Sequence, residues 1–246
     1  MKRYCPTDVL ALIHCLRIVQ IFVYSVKWTG GLQWGITAHK KFPLVACILM
    51  PAGYTDCMDC DAKKTSVLHT IAPVWDKDSR VLVLGTMPSP ASRAAGFFYM
   101  HPQNRFWKVL PALFGESLQF ANNSPDRDGA IRERRAFLLR HHIALWDVLA
   151  GCDIDGASDA SIRNAVPNDF TALFSGAAIR AVFCTGKTAA ALWQKHCAAD
   201  YGMQCRCLPS TSPANARWSL EALQGEYAAV KAAADGVSGK AGAVFP

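Results

Sequence analysis

Residues 80–110 read RVLVLGTMPSPASRAAGFFYMHPQNRFWKVL, and this stretch decides the fold. Val81–Leu84 is a continuous apolar run closed by Gly85, the pattern of a strand covered on both faces. The segment after it, with Pro88, Pro90 and Gly96, is a rigid excursion built from turn-forming residues. The chain then re-enters regular structure as a helix from about Asn104 to Phe114. A buried strand that opens into such a loop and returns as a helix is the unit of an α/β protein, and its loop is where a ligand is held.

Working outward, the same alternation recurs. SVLHTIAPVWDKDSR reads as a lead-in to the first strand, with a turn over Asp76–Arg80. A helix follows Asp128, with Ile131, Phe137 and Leu138 on its apolar side. Its basic side carries Arg132, Arg134 and Arg135, read as a solvated face or, alternatively, a phosphate contact. Ile143–Val148 is the second strand, followed by the loop GCDIDGASDASIRNAVPND with a short helix near Asp159–Asn164. Phe170–Phe174 is helical and is stopped by Gly176. Ile179–Cys184 is the third strand, Thr188–Cys197 a helix, and Gln204–Leu208 the fourth strand, ending in LPSTSPANAR. An amphipathic helix over Ser219–Ala233 closes the pattern. Strands alternating with helices predict a three-layer α/β/α sandwich around a short, largely parallel four-stranded sheet. Both Pro/Ser loops, after Leu84 and after Leu208, then emerge at the carboxyl ends of strands, where such sheets bind ligands.

A hydrophobic fraction of 51% and a charged fraction of 18% describe a globular chain with ample core material. The net charge of +7 is unevenly spread. Residues 1–57 hold six basic and two acidic residues, and the remainder holds 20 and 17, so the patterned part is only mildly basic. Charge alone is therefore a weak sign of nucleic-acid binding. Of ten cysteines, five precede residue 61, among them the CxxC Cys57-Met-Asp-Cys60. The spacings lack the paired frame of a zinc or iron–sulfur site, so no metal and no cofactor is expected. Reduced thiols and a cytoplasmic location are expected instead.

The N-terminal part has no sustained period. Residues 9–26, VLALIHCLRIVQIFVYSV, are interrupted by His14, Arg17 and Gln20, unlike a membrane span of roughly 20 apolar residues. The expected organisation is an unmatched extension over 1–57, one domain over 58–235 and a flexible tail over 236–246. The extension is read as translated upstream sequence, with Met58 as the native start. A family-specific extension and a membrane anchor in residues 9–26 are the competing readings.

Several chemistries are excluded. Gly186-Lys187-Thr188 resembles the end of a phosphate-binding loop, but Ala181 stands where the first glycine is required. No GxSxG elbow, HExxH helix or dinucleotide fingerprint is present. In the first loop each polar residue has an ordinary explanation: Asn104 as a helix cap, His101 as a loop histidine, Phe98 and Tyr99 as core.

Taken together, GTMPSPASR and GFFYMHPQNRFWKVL resemble the uracil-DNA glycosylase superfamily, and most closely its hypoxanthine-DNA glycosylase branch. LPSTSPANAR occupies the place of the superfamily's second motif, and the resemblance covers about residues 68–233. It implies a uracil-DNA glycosylase-like fold and a monofunctional, monomeric enzyme. This enzyme removes hypoxanthine, with uracil as a further base, from DNA containing a deaminated base. In the mismatch-specific relatives the first loop carries an Asn that positions the attacking water. Met87 stands there in this chain and can do neither proton transfer nor water orientation. The resemblance therefore moves catalysis to Asn104, whose carbonyl would hold the water, and makes Tyr99 the platform that stacks on the extruded base.

Phe98, Ser89, Gly85 and Thr86 complete the implied base-binding set, and loop N–H groups with Ser89 would stabilise the departing base. Ser210, Ser212, Pro213, Asn215 and Arg217 form the implied DNA-binding set. Ala214, Asn215 and Trp218 are the alternatives for a residue that fills the emptied stack. Two rival functions remain: a uracil/thymine mismatch-specific glycosylase, and a catalytically silent DNA-binding module of the same fold.

Overall fold

The computed structural model describes residues 65–236, together with the backbone of two short strands further upstream. The chain divides into two compact units, Met1–Asp59 and Cys60–Pro246. In the first, β1 (Tyr24–Lys27) and β2 (Gly35–Ala38) pair antiparallel. The CxxC at Cys57–Cys60, the start at Met58, the apolar run up to residue 23 and the tail beyond Gly236 lie outside the described residues.

The second unit is built on β4 (Val81–Gly85), whose five residues are all buried. It pairs in parallel with β5 (Ile143–Asp147) on one side and β8 (Ala181–Thr185) on the other, and β8 pairs in parallel with β9 (Cys205–Leu208). The order is β5-β4-β8-β9, the four-stranded parallel sheet that the apolar runs predict.

Side chains alternate across it. Val81, Val83, Ile143, Leu145 and Phe183 face a layer containing α2 (Phe106–Leu113), α3 (Arg127–Arg140) and α7 (Leu220–Ala234). Leu82, Leu84, Ala144, Val182 and Cys184 face Leu173 of α4 (Thr171–Gly176), Ala189 and Trp193 of α5 (Lys187–His196) and Ala198 of α6 (Ala198–Tyr201). Both faces of β4, β5 and β8 are thus largely dry, which is why these strands read as nearly continuous apolar runs, whereas the edge strand β9 buries only Leu208.

Four features depart from the sequence expectations. The lead-in contains β3 (Thr65–Leu68), and the supposed loop after β5 contains β6 (Leu149–Ile154) and β7 (Arg163–Pro167), which together form an antiparallel sheet of order β3-β6-β7. The expected helix near Asp159–Asn164 shrinks to one 3₁₀ turn, Asp159–Ser161. The first Pro/Ser loop is interrupted by α1 (Pro90–Ala95), capped by Ser89 and stopped at Gly96, which has φ 72°. Arg134, assigned to a basic outer face, is wholly buried, with its guanidinium 5.4 Å from the Trp107 ring centroid and bonded to the carbonyls of Phe120 and Ala130. Its Nη2 also donates to Asn122 Oδ1, at 3.0 Å.

Candidate active site

The register places Asp147, Gly85, Thr185 and Leu208 side by side at the carboxyl end of the sheet. Above this row the loops after β4, β6 and β9 enclose a cleft of about 370 Å³, within the usual size of a small-molecule site. Gly85, Thr86, Ser89, Phe98, Tyr99, Asn104, Ser210, Ser212 and Asn215 all line it, as does Met87. The two separate motifs therefore converge on one site. Pro213 and Arg217 do not line the cleft, and Arg217 is exposed on the adjoining surface.

Tyr99 is held in the left-handed region, with φ 56°, a conformation that costs a non-glycine residue free energy and that surrounding contacts must hold. One ring face lies against Phe106, with centroids 4.0 Å apart and planes 12° from parallel. Its hydroxyl donates to Thr185 Oγ1 at 2.8 Å, since the Thr185 hydroxyl itself donates to the Leu84 carbonyl. Desolvation, then the negative charge of Asp147, pushes the phenol well above its ordinary pKa, so it stays protonated. From below, Asn122 Nδ2 donates to the carbonyls of Tyr99, His101 and Asn104, at 2.9 to 3.3 Å. Buried Arg134 orients that amide, so the Arg134–Asn122 pair fixes the shape of the loop.

Asn104 stands one residue before Arg105, the N-cap of α2, and its side chain bonds the first N–H of that helix. Its Oδ1 accepts the Phe106 N–H at 3.0 Å and the Thr211 hydroxyl at 2.9 Å. The backbone donor settles which amide atom is which. The carbonyl expected to hold water is thus committed to two protein donors, and the uncommitted group of Asn104 is Nδ2, a donor. Phe98 is only 1% exposed and packs against Phe97 at 5.4 Å, so although it reaches the cleft wall it is a core residue. Ser89 spends its oxygen on the N–H of Ser92. His101 accepts the Gln103 N–H and is a loop histidine.

The second loop is tied to the first by Arg105. Its guanidinium donates to the carbonyls of Trp218, Ser212 and Asn215, and its backbone N–H donates to the Thr211 carbonyl. Within the loop, Ser210 and Ser212 accept backbone N–H groups and Asn215 donates to the Ser210 carbonyl. The serine hydroxyl hydrogens remain free to donate outward. Trp218 packs on the core beside the sheet, which leaves Ala214 and Asn215 at the rim.

Two acids in the cleft went unread in the sequence. Asp147 is 4% exposed and accepts at 2.9 Å from His69, a residue 78 positions away. Asp159 sits on the 3₁₀ turn, and its Oδ2 accepts the Thr86 hydroxyl at 2.9 Å. Although the residue as a whole is exposed, its carboxyl turns into the cleft. Desolvation raises its pKa, the Thr86 bond opposes this, and the charge of Asp147 adds to it. An acid at the carboxyl end of a buried strand was the available signal for Asp147. Nothing local marked His69.

A parallel α/β sheet with an aromatic-floored polar cleft at its carboxyl ends matches what the comparisons with known proteins find. The sequence profile of the Uracil DNA glycosylase superfamily matches residues 72–233. A protein of Methanosarcina barkeri named Hypoxanthine DNA glycosylase is 34% identical over 101 residues, which are 41% of this chain and 59% of that protein. One of the same name from Methanosarcina acetivorans is 30% identical over 146 residues, or 59% of this chain and 87% of the relative. A solution NMR structure of a Methanosarcina acetivorans protein, provisionally named as a uracil DNA glycosylase, superposes with a TM-score of 0.57. It is 27% identical and covers 70% of this chain and 99% of its own.

The chain belongs to the uracil DNA glycosylase superfamily. It is a DNA glycosylase, a hydrolase acting on the bond between base and sugar.

Proposed function

We propose that this glycosylase excises hypoxanthine from deoxyinosine in DNA, accepts uracil as a second base, and leaves an abasic site. The observation that carries the reading is Tyr99, whose one face is backed by Phe106 while the residue lines a polar cleft beside the free amide of Asn104. A base extruded from the duplex, at a cost of about a few kcal/mol, would stack on that ring, a contact worth about 1–3 kcal/mol. A mispaired base such as hypoxanthine is cheaper to extrude than a paired one. As the glycosidic bond breaks, negative charge develops on the base. Asn104 Nδ2 and the N–H groups of the Thr86–Ser89 loop are donors placed to meet it.

Among the described residues the cleft lining contains no lysine, so no amine is at hand for a covalent intermediate, which favours a monofunctional hydrolase. The rim hydroxyls of Ser210 and Ser212, with Asn215 and the exposed Arg217, are assigned to the DNA backbone. The names of the two Methanosarcina relatives support hypoxanthine as the base. A monomeric, cytoplasmic protein completes the proposal, and the free thiols of the five described cysteines are in keeping with it.

The test is release of free base from duplexes carrying hypoxanthine, uracil or xanthine under single-turnover conditions. Hypoxanthine is expected to be released fastest. Faster release of uracil or thymine from mismatches would instead identify a mismatch-specific enzyme, and tight abasic-DNA binding without any base release would identify a silent binding module.

A further inference from the structure

Hydrolysis of a glycosidic bond leaves a proton to place. The attacking water bonds to C1′ of the sugar and must shed one O–H, and neither motif offers a free acceptor for that proton. Asn104 Oδ1 is committed to the Phe106 N–H and the Thr211 hydroxyl, and the Met87 side chain is no base. The ionisable side chains of the cleft lining are Tyr99, Asp147 and Asp159, with no histidine, lysine, arginine, glutamate or cysteine among them. Tyr99 keeps its proton. The choice falls between two carboxylates.

Depth separates them. Asp147 pairs with Gly85 in the sheet, and a Cβ on Gly85 would lie 2.2 Å from Asp147 Oδ1 and 3.0 Å from the Tyr99 hydroxyl. Asp147 is therefore level with the far end of the ring on which an extruded base stacks, and His69 fixes its other oxygen at 2.9 Å. Asp159 lies nearer the mouth. Its Oδ2 accepts at 2.9 Å from Thr86, the residue that follows β4, a step of about 3.3 Å outward. A base enters with its sugar outermost, because the sugar stays attached to the DNA, so C1′ comes to the level of Asp159. Asp159 Oδ1 has no hydrogen-bond partner among the described residues.

We propose that Asp159, on the turn between β6 and β7 and outside both motifs, is the general base of the hydrolysis, its Oδ1 taking the proton of the water that attacks C1′. The inference rests on the reading of the cleft as a pocket for an extruded base. In this step the water oxygen bonds to C1′, and the C1′–N bond breaks with its electron pair leaving on the base. The water proton passes to Asp159, which returns it to solvent, and the departed base is protonated from solvent. Burial suits the task. Desolvation raises the carboxyl above the ordinary 3.8, the Thr86 bond opposes this, and the charge of Asp147 adds to it. The carboxylate is thus a stronger base than one in water. The other titratable neighbour is Cys152 of β6, whose thiol is raised by burial and stays uncharged.

The test is single-turnover release of hypoxanthine, with and without azide. Azide attacks C1′ as an anion and has no proton to shed. Asp159→Asn keeps an acceptor for Thr86 but cannot take a proton. It is expected to melt no lower than wild type, to lose on the order of 10²–10⁴-fold in rate at pH 7, and to regain most of that loss in azide, with an azido sugar as product. A loss below about threefold overturns the inference. So does a large loss that azide does not repair, which would make the negative charge, and not proton acceptance, the working property.

If that variant does not fold, Thr86→Val reads the same group in another way. The base works only when ionised, so the wild-type rate falls as pH drops through the folded pKa of Asp159. Removing the Thr86 bond, which holds that pKa down, is expected to move the acidic midpoint of the rate profile to higher pH. An unmoved midpoint overturns the inference as well. If wild type releases uracil but not hypoxanthine, the substrate reading falls while the same series on uracil DNA decides the role of Asp159. Release of neither base overturns both.

Discussion

Asn104 accepts the Phe106 N–H and the Thr211 hydroxyl through one atom and keeps its other terminal atom free. The structural and the catalytic uses of this side chain are therefore separable. Asn104→Asp retains an oxygen for both donors but replaces the free Nδ2 with a second acceptor. It is expected to keep the melting temperature within a few degrees and to lose base release by on the order of 10²-fold, comparable to removing a transition-state donor elsewhere. Asn104→Ala should lose the rate and, in addition, about 1 kcal/mol of stability as the bonds to the Phe106 N–H and the Thr211 hydroxyl disappear. Full activity in Asn104→Asp would mean that Nδ2 is not the working group.

Asp159 supplies a pH signature. Its folded pKa lies above the ordinary value of 3.8, mainly through desolvation, so the folded state binds the proton more tightly than the unfolded chain does. The cost of its charge is absent below about pH 3.8 and appears as pH rises through the raised pKa. Asp159→Asn can still accept the Thr86 hydroxyl and removes the charge. Melting curves should show a gain over wild type at pH 7 that vanishes below pH 4.

Among the elements, the start of α2 and the loop after β9 behave as one unit because Arg105 fastens them. Its fork bonds three carbonyls of the second loop. A lysine has one point of charge and cannot reproduce a fork. Arg105→Lys is expected to cost about 1–3 kcal/mol of stability. It should also raise KM for DNA severalfold while changing kcat less, since the loop it releases carries the proposed backbone contacts and the reacting groups lie on the other motif. Steady-state kinetics over a DNA titration separates the two constants, and a loss confined to kcat would place Arg105 in the chemistry instead.

Element legibility followed burial. The strands β4, β5 and β8 are readable because two largely dry faces leave a nearly continuous apolar signal. β7 is RNAVP, with no residue buried, and β3 buries one residue of four. Such strands exist through pairing with β6, and no alternation announces them. The helix α1 was missed although Ser89, Pro90 and Gly96 are a cap, an N1 proline and a stop, because the same residues also spell a loop.

For the whole molecule, residues 65–236 carry 17 basic and 15 acidic side chains, a net of +2, and the cleft itself contributes two acids. Affinity for DNA should accordingly depend weakly on salt. A plot of log K against log salt is expected to have a slope of about −3 or shallower, corresponding to roughly three neutralised phosphates. A slope near −8 would mean that a basic surface outside the described residues takes part.

The parallel sheet and the two loops at its carboxyl end are legible in contiguous stretches, through burial period and turn chemistry, while Tyr99 and Asn104 are singled out by the resemblance of their motif. Packing settles which atom of Asn104 is free, that Arg134 is an internal brace, and that His69 and Asp147 meet beneath Gly85. These depend on residues brought together from 12 to 107 positions apart. Contacts at that range are set by how the elements pack, and no local pattern of residues encodes them.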